Sequence, residues 1–343
     1  MRGDYLYCPL SLSLESYWTC DADCTYCIAR RLNHIWGNEQ KATDPNNLEK
    51  KLQNALKNKN PKTIISQALA KKKPFYLGRK ADPYQPIELT QGTTRGIIKV
   101  LAGLNWNVVI CTKYTDNLEY DLDLICRYKD VVSVLTEITV GAEHDWELFE
   151  GRKTTPIDAR LRTLKKLKKR GVTVGVRGEP FIPGYHTIKQ FKDMVLRIKQ
   201  VGLNSFNTYN FHMNEHNLKR LLALGVDIER IWKFNQDTHW KKIQTRLCAI
   251  ARNEGMILGC PDFVNVPQNW YHSVNTCCGI DINNAFTFNT HVWRNLLLEK
   301  TSPYTILQQT WEGIGLDPDK NQAKIILTSD SKDFYTFKNA GLI

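Results

Sequence analysis

The chain of 343 residues is long enough for one large domain or two smaller ones with a sizeable core. Hydrophobic residues make up 42% and charged residues 24%, ordinary globular usage that excludes a disordered, collagen-like or coiled-coil chain. Lysine and arginine number 47 against 35 aspartates and glutamates, and the resulting formal charge of +12 favours a polyanion such as nucleic acid.

No stretch reaches the ~18 uninterrupted apolar residues of a membrane span. Met1-Arg2-Gly3-Asp4-Tyr5 carries an acid and lacks the apolar core of a signal peptide. The expectation is a soluble, cytoplasmic protein with no membrane partner. In a reducing compartment its ten cysteines point to metal binding or chemistry rather than disulfides.

Apolar or β-branched runs at 7–14, 74–77, 107–112, 131–139, 172–177 and 205–211 read as strands. Helical patterns fall between them at 94–104, 122–128, 158–170 and 187–201. In the third, Leu161, Leu164 and Leu167 share a stripe opposite lysines, and Gly171 and Gly202 follow basic helix ends. Strands alternating with helices predict βα units on a parallel sheet. The fold class expected is α/β, a partial (β/α)6 barrel over 1–213 with its chemistry at the carboxyl ends of the strands. Residues 38–72, rich in Lys, Asn and Gln, read as an insert forming a basic surface helix or loop. The βα rhythm fades from Asn214, so 214–343 reads as a C-terminal extension holding Cys260, Cys277 and Cys278 and tryptophans at 232, 240, 270, 293 and 311.

The sharpest feature is Cys20-Asp-Ala-Asp-Cys24-Thr-Tyr-Cys27, placed just after the first expected strand. Three thiolates in this short loop can hold three irons of a [4Fe–4S] cluster and leave the fourth iron open to a substrate or cofactor. A zinc site or chance clustering is the alternative, with His34 the nearest further ligand.

This triplet, with aromatic Tyr26 and a (β/α) barrel behind it, resembles the radical S-adenosylmethionine enzymes. The resemblance implies that the open iron binds S-adenosylmethionine and that one electron cleaves it to a 5′-deoxyadenosyl radical, the chemistry belonging to the cofactor. Further segments follow in order: Asp82-Pro83-Tyr84-Gln85-Pro86-Ile87-Glu88, Thr94-Arg95, Cys111-Thr112-Lys113-Tyr114, Arg160, and Arg177-Gly178-Glu179-Pro180-Phe181-Ile182-Pro183-Gly184. Over roughly 6–190 this series is similar to the spore photoproduct lyase branch and its DNA repair photolyase-like relatives.

Carried over, the resemblance implies that Lys113 meets the cofactor carboxylate and Tyr26 lies beside the adenine. Asp82, Tyr84 and Gln85 would line the cofactor or substrate side of the second strand's loop, and Arg177 and Glu179 would close the far side. Tyr84 and Glu179 are catalytic candidates. The lyase branch places a cysteine three positions before the Asp-Pro pair, where it returns a hydrogen atom to the product radical. Here Arg79 stands there, which favours modification of a base over dimer reversal and leaves Cys111 as the candidate hydrogen donor. An electron donor such as a flavodoxin or ferredoxin is a further implied partner.

The later cysteines, Cys260 with Cys277 and Cys278, form a second possible metal centre. An auxiliary iron–sulfur cluster stands ahead of zinc, with a pair of buried thiols as the alternative. Bases and aromatics alternate in Trp232-Lys233-Phe234, His239-Trp240-Lys241-Lys242 and Trp293-Arg294, a mixture suited to stacking on nucleobases beside phosphates. The expected function is a radical enzyme acting on a pyrimidine base or modified thymidine in DNA. Maturation of a peptide or small metabolite, and a non-catalytic iron–sulfur or zinc nucleic-acid-binding protein, are the alternatives.

Overall fold

A computed structural model of the chain describes residues 2–3, 12–27, 29, 41–211, 213–234, 237–258, 276–277, 280–281, 302–313 and 316–318. One sheet organises it. β1 (Arg2–Gly3) pairs antiparallel with β2 (Leu12–Leu14). β3 (Phe75–Leu77), β4 (Val108–Cys111), β5 (Val132–Ile138), β6 (Thr173–Phe181), β7 (Ser205–Asn210) and β8 (Ile257–Leu258) then follow in spatial order, each parallel to the last. Helices follow each strand from β2 to β7. The sheet is therefore a (β/α)6 array with β1 and β8 at its edges.

The strands form where apolar residues run without alternation, because helices on one side and the barrel interior on the other bury both faces. Val108, Val109, Ile110 and Cys111 are all buried, and Leu12, Phe75, Val108 and Val132 stand in one register across four strands. The outer helices obey the complementary period. Ile157–Lys169 buries Leu161, Leu164 and Leu167 and exposes Lys165, Lys166, Lys168 and Lys169. Gly171, at φ +85°, ends it in the left-handed conformation that glycine adopts at least cost. Ile188–Gln200 opens on a reciprocal Thr187–Gln190 capping box.

Three segments differ from the sequence reading. The basic stretch 38–72 carries two helices, Pro45–Lys57 and Ile64–Ala70, whose Leu48, Leu52, Ile64 and Ala68 join the main core. It supplies the helical cover of the first βα unit. β6 runs on past Arg177 to Phe181, through a cis Glu179–Pro180 bond. The sheet also continues beyond 213. β8 extends it, and helix Asp237–Asn253 places Leu247, Cys248 and Ala251 in the same core as the barrel. A separate hairpin pairs β9 (Thr276–Cys277) with β10 (Ile280–Asp281). Among the described residues no helix is long and apolar enough to cross a membrane.

Candidate active site

The cysteine loop follows β2, at the carboxyl edge of the sheet, and every flank of it is fastened. The Thr25 N–H donates to the Phe149 carbonyl at 2.8 Å. Arg220 donates to the Cys24 and Asp23 carbonyls, each at 2.9 Å, and to Asp23 Oδ1 at 2.7 Å. Asn217 donates to the Tyr26 carbonyl at 2.9 Å. Gln85 grips the other flank, donating to the Thr19 carbonyl at 2.8 Å and accepting the Asp21 N–H at 2.9 Å. Gln85, expected to touch the cofactor, thus spends both ends of its amide on loop geometry.

Two of the three sulfurs meet hydrogen-bond donors from neighbouring strand ends. The Asp82 N–H lies 3.4 Å from Cys20 Sγ, and Lys113 Nζ lies 3.5 Å from Cys24 Sγ. Burial pushes the Cys20 thiol well up and the Cys24 thiol up to about 12, so neither ionises on its own near neutrality. Coordination to a metal would hold these sulfurs in the thiolate form and supply the missing charge. Among the described residues no three His, Cys, Asp or Glu side chains close around a single ion. The fit of this loop to an iron–sulfur cluster rests on its donor set: three reduced thiols on one loop, with N–H groups directed at the sulfurs of Cys20 and Cys24. Cys20, Cys24 and Cys27 would hold that group.

Asp82 knits the β3 loop to the end of β4. Its Oδ1 accepts the Thr112 hydroxyl at 2.6 Å and the Tyr84 N–H at 2.9 Å, and its Oδ2 accepts the Lys113 N–H at 2.6 Å. Burial pushes its carboxyl up to about 6 in spite of these bonds. Gly78 makes the approach of the two strands possible. A β-carbon there would sit 2.4 Å from the Cys111 carbonyl, and φ is +97°.

Behind Cys24 lies a buried ionic network. Lys113 Nζ donates to Tyr26 Oη at 2.5 Å and stands 3.3 Å from Glu137 Oε2 and 3.4 Å from Glu150 Oε1. The Tyr26 hydroxyl in turn donates to Glu150 Oε1 at 2.6 Å. The other Glu150 oxygen takes the Arg160 guanidinium and the Thr154 hydroxyl. Burial opposes ionisation of Glu150, but Arg160 and Lys113 outweigh it and hold the carboxyl down at about 2. Burial likewise opposes the charge on Lys113, and the Cys24, Glu150, Tyr26 and Glu137 groups around it overcome that and lift its pKa well above normal. Tyr26 is therefore anchored through its hydroxyl, with its ring edge-on to Phe149.

On β6, Arg177 forms a forked pair with Glu179 at 2.9 and 2.8 Å, reaches Glu137 at 3.4 Å and contacts the Tyr76 hydroxyl. Two guanidiniums approach the Tyr76 ring, Arg79 at 5.4 Å and Arg177 at 5.7 Å from its centroid. The remaining candidates are scattered. Cys111 is buried at the end of β4, and the buried Tyr84 directs its hydroxyl to Asp121 at 3.3 Å. Cys260 and Cys278 lie outside the described residues, and Cys277 stands in β9 of the separate hairpin. No finding supports a second metal centre.

No protein-family model and no curated protein matches the chain. Solved structures match it in fold. A variant of spore photoproduct lyase with bound AdoMet and dinucleoside spore photoproduct aligns at TM-score 0.54 and 13% identity, over 75% of this chain and 78% of that one. A second lyase variant, with dinucleoside spore photoproduct, gives 0.53 and 13%, over 73% and 75%. Streptococcus suis SuiB bound to precursor peptide SuiA gives 0.44 and 13%, over 64% of this chain and 45% of that one, so the chain spans less than half of SuiB. The chain shares the fold of spore photoproduct lyase. At these identities the likeness is one of fold, and the residues of the site stand on their own geometry.

Several residues that complete the site were not singled out from the sequence. Glu137 and Glu150 come from the end of β5 and from the C-cap of the helix Glu143–Phe149 that follows it. Arg220 and Asn217 come from helix Glu215–Ala223, far along the chain. Asp145 and His186 form a buried pair at 2.6 Å. Because His186 Nδ1 accepts the Ile182 N–H, Nε2 carries the proton toward Asp145, tying the loop after β6 to the helix that anchors Thr25. Spacing along the chain signals none of these: Glu137, Asp145 and Glu150 come from the β5 unit and meet Lys113, His186 and Tyr26 of other βα units.

Proposed function

We propose that the chain is a radical S-adenosylmethionine enzyme acting on a pyrimidine base or a modified thymidine in DNA. The observation that carries the reading is the three-cysteine loop, seated at the carboxyl edge of an open parallel sheet with an ammonium and an amide directed at its sulfurs. When bound, a [4Fe–4S] cluster on Cys20, Cys24 and Cys27 would supply one-electron cleavage of S-adenosylmethionine, drawing its electron from a flavodoxin- or ferredoxin-type donor.

The chain's own residues hold and shield that chemistry. Gln85, Asn217 and Arg220 fix the loop, and Asp82 locks the neighbouring strand ends. Within the ionic network, Arg177, Glu179 and Glu137 keep 17%, 15% and 25% of their side-chain surface accessible, whereas Glu150 and Arg160 keep none. Position therefore favours Arg177 and Glu179 for contact with cofactor or substrate over the buried Cys111 and Tyr84. Exposed Arg79 stands at the same sheet edge, where a guanidinium suits a phosphate. That residue and the +12 charge support an anionic polymer as substrate.

Anaerobically reduced protein, given S-adenosylmethionine and a panel of single- and double-stranded DNAs, should release 5′-deoxyadenosine faster with one member and change that DNA's mass. Stimulation by peptides alone, with every DNA silent, would overturn the substrate assignment.

A further inference from the structure

Lys113 is held from four directions at once. Tyr26 Oη lies 2.5 Å from its Nζ, Glu137 Oε2 3.3 Å, Glu150 Oε1 3.4 Å and Cys24 Sγ 3.5 Å. An ammonium has three N–H donors and no acceptor. Tyr26 and Cys24 take two of them as hydrogen-bond acceptors, and the Glu137 and Glu150 carboxylates flank the ammonium at ion-pair distance. Its backbone N–H is fixed as well, on Asp82 Oδ2 at 2.6 Å.

We infer that Lys113 is a positioning residue that acts through the sulfur of Cys24, making the cluster borne by the loop easier to reduce. This rests on the proposed cluster. Reduction adds one electron, drawn from an external one-electron donor, and so one negative charge to the cluster. A cation hydrogen-bonded to a ligand sulfur in a poorly solvated site stabilises that added charge. The network as a whole is neutral, with Lys113, Arg160 and Arg177 against Glu137, Glu150 and Glu179. Within it, the Lys113 ammonium is the charged group in contact with the Cys24 sulfur. The same strand end reaches the second sulfur, because Asp82, whose N–H meets Cys20, is locked by Thr112 and Lys113. In this arrangement the Cys111-Thr112-Lys113-Tyr114 segment sets the electronics of the cysteine loop.

The test is a potentiometric titration of the full chain, anaerobically loaded with iron and sulfide, without S-adenosylmethionine and read by electron paramagnetic resonance. K113M should make reduction about tenfold less favourable, a shift of about 59 mV for a one-electron couple. K113R, which keeps the charge, should stay within about threefold of the parent. E137Q, which strips an anion from beside Lys113, should shift the equilibrium the other way. If K113M takes up no iron, the K113R and E137Q measurements still decide the matter. Potentials unchanged in iron-loaded K113M and E137Q, with S-adenosylmethionine binding weakened in K113M, would overturn the inference and return Lys113 to cofactor binding. A parent chain that takes up no iron defeats the cluster reading and this inference with it, an outcome distinct from an unchanged potential.

Discussion

The helix Ile157–Lys169 carries ion pairs at both ends, and they stand in opposite surroundings. Near its start Arg160 meets Glu150 with neither side chain exposed at all. Toward its end Lys166 meets Glu119 at 2.7 Å, and just beyond it Arg170 meets Asp123 at 2.8 Å, in each case with water around the partners. The pairs share their chemistry and differ in solvation. Breaking the buried pair strands a charge where water cannot reach it, while breaking an exposed pair returns both groups to solvent. The buried end lies at the carboxyl ends of the strands, behind Cys24. The exposed end is a solvated helix face, as its run of lysines suggests.

The largest effect tests the buried end. Glu150→Gln should cost about 3–5 kcal/mol, because Arg160 and Lys113 lose a common carboxylate. The Glu150 carboxyl is held down at about 2, below the unfolded value of 4.5, so its contribution is full above pH 4.5 and fades as pH falls toward 2. Denaturant unfolding at pH 7 and pH 3 should show the penalty shrinking in acid. A loss under about 1 kcal/mol at pH 7 would place this pair with the exposed ones.

A smaller effect of opposite sign should come from Glu15, at the end of β2. Its Oε2 accepts the Lys80 and Ala81 N–H groups, its Oε1 has no hydrogen-bond partner, and burial raises the carboxyl to about 7. A raised carboxyl is tolerated when protonated and costs stability as pH climbs from the unfolded value of 4.5 through 7. Glu15→Gln should therefore stabilise by about 1–3 kcal/mol at pH 8.5 and change nothing near pH 4.5. Equal unfolding midpoints for parent and variant at pH 8.5 would show that Glu15 is solvated. Least of all, Lys166→Ala should shift stability by less than about 1 kcal/mol, and that shift should vanish in 1 M salt.

Much of the fold was legible because burial on both faces leaves apolar strands and Gly-terminated amphipathic helices in plain order. The apolar pattern ends β6 at Arg177, since Gly178 and Pro180 argue against a strand that tertiary packing nonetheless continues. Helix Glu143–Phe149 has no side-chain cap and starts after Ala142 at φ +53°, so no local signal marked it. The helices of 41–72 agree with one of the two readings of that segment, and their burial is masked in the sequence because the few core leucines are diluted by lysine and asparagine. In the site, the cysteine loop was legible as spacing, and Arg160 and Arg177 as members of an ordered motif series. Their partners were not: Glu150 lies ten residues before Arg160 in the same β5–β6 connection, at a spacing no helical period marks, and Glu137 meets Arg177 only through the pairing of β5 with β6.

The most direct test of the central claim is 5′-deoxyadenosine release by anaerobically reduced protein supplied with S-adenosylmethionine, alongside its iron and zinc content. The parent chain should bind iron and release the nucleoside, and Cys24→Ala should lose both. Zinc in place of iron, or undiminished release by Cys24→Ala, would contradict the account.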